Sequence, residues 1–349
     1  MQKLKWGFVL LLALLCAAPA MGDGNKTVRI TFTGDVTLGC EEILQREPYS
    51  FVGYAQEHGY GYFFERVRGL FLEDDLTVVN FEGVLADNAR GENKSKNFRF
   101  RGDTEFTQIL QLGSVEAVNL ANNHTKDYGN RGVESTHAAL DAAGIARFGE
   151  RDVYILEKDG VRIAFFGAYY KDFADHRAWY EQELARLDEE VNAIVFVFHA
   201  GREYAENRIS SQEEYARFAI ERGADLVVMH HPHVVQGMDI IDNRSVLYSL
   251  GNFCFGGNRH AKVFESLVVS AELEFDAQGA YTGQQICLYP AFTTGTDTHN
   301  NYQPYFVAGE EAAQVLALVQ KDTPFALPVF DEAAGCAKLP YLPAQDGKM

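Results

Sequence analysis

The sequence has few cysteines and no cysteine-rich metal motif. Five cysteines occur in 349 residues, and their spacing does not resemble a zinc knuckle. Four of them, Cys40, Cys254, Cys287 and Cys336, are expected to be buried small hydrophobic residues or members of one or two disulfides. A glycine-rich phosphate loop, a zipper, internal repeats and low-complexity linkers are also missing. These absences argue against a P-loop nucleotide-binding protein, a coiled coil and a solenoid.

Basic residues are scarce compared with acidic ones. The chain has 31 Lys and Arg against 49 Asp and Glu, which gives a formal net charge of −18. A surface this acidic argues against nucleic acid as a partner, because phosphate backbones are bound through clustered basic side chains. An anionic substrate remains compatible with the composition if metal cations attract it locally, since a bound cation dominates the electrostatics of its site.

One long hydrophobic run occurs, and it lies at the N-terminus. Residues 1–20 have two lysines, an apolar stretch over residues 7–17 and then Ala18-Pro19-Ala20, the small-x-small form of a signal-peptidase site. We therefore predict a signal peptide over residues 1–20 and an exported protein at the cell surface, in the periplasm or outside the cell. An uncleaved membrane anchor is the alternative, although residues 6–20 are marginally short for a span.

The remaining chain alternates between apolar strand-like runs and helical segments. The runs, which are short and rich in β-branched residues, cover residues 28–33, 76–79, 115–118, 193–198 and 226–229. Helical patterns at residues 134–143 and 213–222 are each followed by a glycine that is expected to end the helix, Gly144 and Gly223. Two more strands are expected at 267–275 and 285–289, and a helix at 310–319. This alternation and a hydrophobic content of 47% predict a layered α/β domain.

Side chains of the metal-binding type follow each of the five apolar runs. They are Asp35 after Gly34, Asn80 and Glu82, Asn122-Asn123-His124, His199, and His230-His231-Pro232-His233. Ligands of α/β proteins bind at the carboxyl ends of strands, so these side chains are expected to meet in one site. The proline in the histidine motif restricts the turn, and a spacing of two residues suits one imidazole for each of two neighbouring metals. A surface patch of histidines is the alternative for this motif alone.

Several motifs, taken in order, resemble a known family. They are Thr33-Gly34-Asp35-Val36, Val79-Asn80-Phe81-Glu82-Gly83, Leu120-Ala121-Asn122-Asn123-His124, His199-Ala200-Gly201-Arg202-Glu203-Tyr204, His230-His231-Pro232-His233-Val234 and Tyr248-Ser249-Leu250-Gly251-Asn252-Phe253. The chain resembles the CapA (PgsA) family of capsule and poly-γ-glutamate biosynthesis proteins, whose domain is similar to calcineurin-like metallophosphatases. The resemblance covers about residues 27–307.

The resemblance implies a fold and a set of metal ligands. The expected fold is a four-layer α/β/β/α sandwich over residues 27–307, followed by a C-terminal helix and tail at 308–349. It further implies one or two divalent transition metals, Mn, Fe or Zn. The implied ligands are Asp35 for the first metal, Glu82 as the bridge, Asn123 and His199 for the second metal, and His231 and His233 divided between the two.

The resemblance also implies a catalytic pair and a set of supporting residues. His124 would be a general acid or an oxyanion-stabilising imidazole, oriented by Asp127. Supporting or substrate-contacting roles are expected for Asn80, Asn122, Glu203, Tyr204, His230, Ser249 and Asn252. Lys96, Arg99 and Arg101 follow the second motif, and they are expected either to contact an anionic polymer or to form a solvated loop.

The chain departs from ordinary phosphatases at two motifs. Asp35-Val36-Thr37 replaces the usual Asp-x-His, and Asn80-Phe81-Glu82 replaces the usual Gly-Asp-x-x-Asp. One imidazole of the first metal is thereby lost. Phosphoester hydrolysis therefore does not follow from the resemblance alone.

Three functions are compatible with these residues. The first is a metal-dependent hydrolase or amide-bond transferase that acts on a capsule-like anionic polymer such as poly-γ-glutamate. The second is a non-catalytic protein that binds or anchors such a polymer within a complex containing membrane-bound capsule synthesis proteins. The third, a generic metallophosphoesterase, rests on analogy with the superfamily.

Overall fold

A computed structural model describes residues 24–345 of the chain. The predicted signal peptide lies outside the described residues. Over residues 24–345, none of the helices combines the length and the apolar character that a membrane span requires.

The described chain alternates strands and helices from end to end. The strands are β1 (Lys26–Thr37), β2 (Leu76–Phe81), β3 (Val84–Leu85), β4 (Arg101–Gly102), β5 (Ala117–Asn119), β6 (Ala146–Phe148), β7 (Val153–Lys158), β8 (Val161–Tyr169), β9 (Ala193–His199), β10 (Leu226–His230), β11 (Met238–Ile241), β12 (Arg244–Leu247), β13 (Asn252–Phe255), β14 (Glu265–Phe275), β15 (Tyr281–Phe292), β16 (Tyr305–Phe306), β17 (Ala337–Lys338) and β18 (Leu342–Pro343). The α-helices are α1 (Phe51–His58), α2 (Arg68–Phe71), α3 (Thr107–Gly113), α4 (Gly129–Ala143), α5 (Tyr170–Glu190), α6 (Ser210–Ile220) and α7 (Gly309–Lys321).

Two mixed sheets form the centre of the molecule. The larger sheet has the order β16-β15-β14-β1-β2-β5-β6, with β13 also paired to β1 and with β17 and β18 paired to β15. The smaller sheet has the order β11-β12-β10-β9-β8-β7. Strands β1, β2, β5 and β6 run parallel to one another, as do β8, β9, β10 and β12. The carboxyl ends of each parallel set therefore lie at one edge of its sheet, where ligands bind in α/β folds.

Alternate residues of the strands face different cores, because side chains alternate across a strand. Ile30 and Val78 of the larger sheet share one buried cluster with Phe165, Val195 and Val228 of the smaller sheet. This central core joins the two sheets face to face.

The outer face of each sheet is covered by helices. Val79 and Val118 pack with Ile109 of α3 and Leu140 of α4 on the outside of the larger sheet. On the outside of the smaller sheet, Phe166, Ile194 and Phe196 pack with Phe173 of α5 and Phe218 of α6. The order helix, sheet, sheet, helix confirms the predicted four-layer α/β/β/α sandwich.

The C-terminal segment contributes to this core. Ala312, Val315 and Val319 of α7 belong to the central cluster, together with Leu273 and Leu288 from the long hairpin of β14 and β15. Beyond α7, β17 and β18 add to the larger sheet by pairing with β15. The described part of the C-terminal helix and tail, residues 308–345, thus packs directly on the rest of the domain.

The four cysteines of the described chain are free thiols. Cys40, Cys254 and Cys336 are buried, and Cys287 is partly buried. Burial raises the pKa of the Cys40 thiol to about 12, which suits a small apolar residue of the core.

Candidate metal centre

Close backbone packing brings Asp35 into the centre of the site. Asp35 lies near the end of β1, opposite Asn80 of β2 and Asn252 of β13, and β1 bulges between Phe32 and Asp35. The Asp35 backbone N–H donates to the Gly251 carbonyl at 2.8 Å. A side chain at Gly34 would place its Cβ 2.3 Å from the same carbonyl oxygen, so glycine is required there.

Strand ends from both sheets supply the other side chains. Glu82 follows β2 directly, and Asn123 and His124 lie in the loop after β5. His199 ends β9 and His230 ends β10, and the two residues are paired in the parallel ladder. The predicted convergence at strand ends thus arises from the register of the two parallel sets.

The histidine motif adopts an unusual backbone. The φ angles of His231 and His233 are +104° and +59°, in the left-handed region that non-glycine residues rarely adopt. Tyr204, itself at a φ of +60°, donates its backbone N–H to the Pro232 carbonyl at 2.8 Å. Such backbone strain persists only where the surrounding structure enforces it, and it is commonly stored at functional sites.

Two groups of potential metal ligands share Glu82. Asp35, Glu82 and His233 form one group, and Glu82, His199 and His231 form the other, each with its ligand atoms within 4.8 Å of one another. In the first group, His233 Nδ1 lies 3.1 Å from Asp35 Oδ2. In the second, His231 Nδ1 lies 3.0 Å from His199 Nε2, and Asn123 Oδ1 lies 2.7 Å from the same His199 nitrogen. The predicted ligands Asp35, Glu82, Asn123, His199, His231 and His233 therefore lie together, with Glu82 in the middle.

The surroundings of Glu82 fit a cation. Its carboxyl group is fully buried, and neither oxygen has a hydrogen-bond partner within the described residues. Three imidazole Nε2 atoms surround Oε1, those of His124 and His199 at 3.7 Å and that of His233 at 3.9 Å. A buried carboxylate without hydrogen bonds is costly unless a cation compensates its charge. Carboxylate, amide and imidazole donors together suit a transition metal.

Burial and mutual contacts shift the pKa values of the two imidazoles toward the neutral form that coordinates a metal, whereas burial shifts the pKa of Glu82 in the direction that only a nearby cation would reverse. Burial raises the pKa of Glu82 well above its ordinary value. Burial, together with the neighbouring His233, lowers the pKa of His231 to about 4, and burial also lowers the pKa of His199 well below its ordinary value. Both rings are thus neutral near pH 7, which is the form that coordinates metals.

Asp35 and His233 behave differently, because they compensate each other. Burial raises the pKa of Asp35, but close contacts with the His230 and His233 imidazoles outweigh it and hold the pKa well below its ordinary value. Burial lowers the pKa of His233, yet Glu82 and Asp35 outweigh burial and raise it to about 9. The two side chains therefore form a buried ion pair.

The His124 ring is held by two contacts. Its Nδ1 lies 2.6 Å from Asp127 Oδ2, and that oxygen also accepts the Phe100 backbone N–H at 2.7 Å. The Phe100 ring packs on the imidazole with ring centroids 4.4 Å apart. Burial lowers the pKa of His124, although Asp127 opposes the shift. The ring thus presents Nε2 toward Glu82, a geometry that lets His124 exchange a proton with a substrate at the cluster.

Asparagines orient the predicted ligands. Asn80 donates from Nδ2 to Asp35 Oδ1 at 2.8 Å and accepts from Asn119 at 2.9 Å. Asn122 donates to the Phe81 carbonyl at 2.8 Å and accepts the His124 backbone N–H at 3.0 Å. These amide contacts fix the carboxylate of Asp35 and the loop that carries His124.

Some of the other predicted supporting residues contact the cluster directly, and others act on the backbone around it. His230 Nδ1 lies 3.3 Å from Asp35 Oδ1, and Asn252 Oδ1 lies 3.0 Å from His233 Nδ1. Ser249 is buried, and its hydroxyl accepts the Gly251 backbone N–H at 3.3 Å, which is a backbone-capping contact. Glu203 is exposed, yet one carboxylate oxygen forms a further potential metal group with His231 and His233. The side chain of Tyr204 is exposed, and its backbone holds the histidine turn.

Sequence reasoning missed Phe100 and Asn119, and it expected Lys96 to contact a polymer or lie in a solvated loop, whereas Lys96 has internal partners. Lys96 Nζ contacts both Asp127 Oδ1 and the Asn123 carbonyl, so this lysine has an internal partner. Arg101 is buried and pairs with Glu42, and Arg99 pairs with Glu92. The basic residues after the second motif are therefore held by internal carboxylates. In the sequence, the one indication that Lys96 contacts other side chains was its position in a loop with several basic residues.

Comparison with known proteins places this architecture in a family. Residues 29–257 match the model of the family described as bacterial capsule synthesis protein PGA_cap. The capsule biosynthesis protein CapA of Bacillus anthracis is 28% identical over 266 residues, which cover 68% of this chain and 62% of that protein, less than two thirds of its length. The PGA biosynthesis protein CapA of Bacillus subtilis strain 168 is 24% identical over 312 residues, 81% of this chain and 79% of that protein.

Among solved structures, the 5'-nucleotidase of Candida albicans aligns with a TM-score of 0.42 and 12% identity, over 84% of this chain and 57% of that one. The family match spans well over half of the chain and includes every strand that contributes to the cluster. The chain belongs to the PGA_cap family of bacterial capsule synthesis proteins.

Proposed function

We propose that this protein is an exported, metal-dependent hydrolase or transferase that acts on amide bonds of an acidic capsule polymer such as poly-γ-glutamate. Family membership supports the capsule role, because the two Bacillus relatives carry capsule and PGA biosynthesis names. The observation that carries the catalytic part is Glu82, a buried carboxylate without hydrogen bonds that two potential metal groups share.

The residues divide into ligands and a proton-transfer pair. Asp35, Glu82 and His233 would hold one cation, and Glu82, His199, His231 and Asn123 would hold the other. A bound divalent cation would polarise the scissile carbonyl and lower the pKa of a water molecule. His124 would exchange a proton with the reacting group through Nε2, because Asp127 engages Nδ1 at 2.6 Å and so fixes the ring.

A second candidate, non-catalytic binding or anchoring of the polymer, is favoured by one observation. Asp35 and His233 neutralise each other as an ion pair 3.1 Å apart, so these two members of the first ligand group compensate each other without a cation. A protein with a single cation in the second group would bind an anionic polymer and lack a paired-metal mechanism.

Polymer length after incubation tests the two candidates. Protein loaded with Mn²⁺ is incubated with poly-γ-glutamate, and chain length is followed by size-exclusion chromatography beside His124→Ala and a control, His58→Ala. His58 is exposed and lies outside the cluster. Shortening or transfer by the wild type and the control, with loss in a folded His124→Ala protein, supports the enzyme. Binding without any change in polymer length supports the anchoring role.

A further inference from the structure

A narrow pocket adjoins the metal-ligand cluster. Its lining includes Tyr204, Asn252, Asn258, Lys262, Thr293 and Asn300. Asn252 connects the pocket to the cluster, because its Oδ1 lies 3.0 Å from His233 Nδ1. Tyr204 makes a second connection, since its ring lies 6.2 Å from that of His233.

The charge of this pocket contrasts with that of the protein. Lys262 is the one charged residue in the lining, although the chain carries a formal net charge of −18. Lys262 is exposed and forms no ion pair within residues 24–345. Its ammonium group is therefore available to an anion from solution.

The polar groups of the lining add hydrogen-bond donors. Because Asn252 Oδ1 faces His233, the Nδ2 group of Asn252 is left as a donor without a protein partner in the described chain. The hydroxyl of Thr293, which is almost fully buried, likewise has no protein partner there. A lysine, an amide N–H and a hydroxyl form a set of donors suited to a carboxylate.

The pocket is built before any ligand arrives. Asn300 Nδ2 donates to the Phe255 carbonyl at 3.1 Å and to the Asn258 carbonyl at 3.0 Å. The Asn300 backbone N–H donates to the Arg259 carbonyl at 2.7 Å. These bonds tie the segment that precedes Lys262 to the loop after β15, so the backbone frame of the pocket is fixed.

We infer that this pocket is a carboxylate subsite, in which Lys262 and Asn252 bind one pendant carboxylate of an acidic polymer lying across the metal-ligand cluster. The inference rests on the proposed function and specifies its substrate class. In a polymer with one carboxylate per repeat, this contact sets which backbone bond lies beside His124 and Glu82.

Binding of a defined carboxylate oligomer tests the subsite. A short γ-linked glutamate oligomer is titrated by calorimetry into wild type, Lys262→Met, Lys262→Arg and Lys338→Met, all loaded with Mn²⁺ under identical conditions. Lys338 is an exposed lysine on β17, outside the pocket. We expect Lys262→Met to weaken binding about tenfold or more, because a hydrogen bond to a charged group is lost. Lys262→Arg should stay within about threefold of wild type, and Lys338→Met should bind like wild type.

Two outcomes would overturn the subsite: no binding by the wild type, or equal affinity of Lys262→Met and wild type. The result is separable from that of the polymer-length assay. Lys262-dependent binding without cleavage would overturn the hydrolase and keep the subsite, whereas cleavage with Lys262-independent binding would overturn only the subsite.

Discussion

His231 Nδ1 lies 3.0 Å from His199 Nε2 at the junction of the two sheets. Burial lowers the pKa of both imidazoles, so neither ring is charged near pH 7. The unpartnered carboxylate of Glu82 lies beside them, with Oε1 3.7 Å from His199 Nε2. A cation between these groups would compensate the charge of the buried carboxylate and accept the lone pairs of the two neutral imidazoles. The following predictions rest on this arrangement.

Replacing Glu82 by Gln should change the melting temperature in opposite directions with and without metal. In metal-free protein, the substitution removes a buried, unpartnered carboxyl group, and we expect stabilisation on the order of 1–2 kcal/mol. With Mn²⁺ present, it removes the shared ligand, so the stabilisation by metal should be lost. Thermal melts in EDTA and in excess Mn²⁺ measure both effects. A melting temperature that responds to Mn²⁺ equally in Glu82→Gln and wild type would contradict the bridging role.

Lys96 should stabilise the fold by pairing with the buried side chain of Asp127. Asp127 is fully buried and interacts through one oxygen with His124 and through the other with Lys96. Lys96→Met should therefore lower the free energy of unfolding by about 2 kcal/mol, since it leaves a buried carboxylate poorly compensated. Lys96→Arg should recover part of that loss. Urea denaturation measures both variants, and Lys94→Met, which changes a neighbouring lysine without an ion pair in the described chain, is the control. Equal destabilisation by Lys96→Met and Lys94→Met would argue against the internal role.

Gly34 should tolerate no side chain. An added Cβ would lie 2.3 Å from the Gly251 carbonyl oxygen and 2.9 Å from its carbon, so β1 and β13 would have to separate. We expect Gly34→Ala to destabilise the fold by about 2–4 kcal/mol and to weaken metal binding through the displacement of Asp35. Gly69→Ala in α2 is the matched control, because nothing lies within 4 Å of its added Cβ. If the two variants unfold at the same urea concentration, the close packing at Asp35 is not needed.

Asp74 should make stability depend on pH at a position remote from the metal ligands. Burial raises the pKa of Asp74 to about 6, although a hydrogen bond from Thr77 at 2.7 Å opposes the shift. The folded protein thus binds this proton more tightly than the unfolded chain does. The associated stability is fully present below pH 4 and is lost as the pH rises through about 6.

Asp74→Asn should remove that dependence. We expect the variant to gain on the order of 1 kcal/mol over wild type at pH 8 and little at pH 4, a small value because solvent screens a partly buried carboxyl. Thermal melts at the two pH values measure the difference. Asp242→Asn, on the turn between β11 and β12, is the control, since asparagine accepts the positive φ of +49° found there. The same gain for Asp74→Asn at both pH values would contradict the assignment.

Local pattern was sufficient to predict that metal-type side chains meet at the strand ends. Glu82, His199 and His230 directly follow or end apolar runs, and parallel strands bring such ends together whatever their separation in sequence. The strand starts and the end of α4 at Gly144 were likewise close to those observed, because apolar periodicity and a left-handed glycine are local signals.

Features that depend on long-range contacts could not be predicted in this way. Strand β8 is the parallel neighbour of β9, yet it carries no metal-type residue at its end and was overlooked. Helix α5 is polar on average and is interrupted by non-helical backbone angles at His176, so its sequence lacks a clear helical periodicity of apolar residues. The Lys96 contact with Asp127 spans 31 residues, and the pocket at Lys262 depends on Asn300 joining two loops. Such contacts depend on the three-dimensional course of loops that are far apart in sequence, and local sequence patterns do not predict that course.

Metal content by elemental analysis is the most direct test of the central claim. Purified wild type is compared with Asp35→Ala, His231→Ala and the control His58→Ala, each checked for folding by circular dichroism. We predict about two equivalents of a transition metal in the wild type and the control, and loss of at least one equivalent in folded Asp35→Ala and in folded His231→Ala, because each variant removes a ligand of a different group. A folded wild type that contains no transition metal and takes up none from added Mn²⁺, Fe²⁺ or Zn²⁺ would contradict the metal centre.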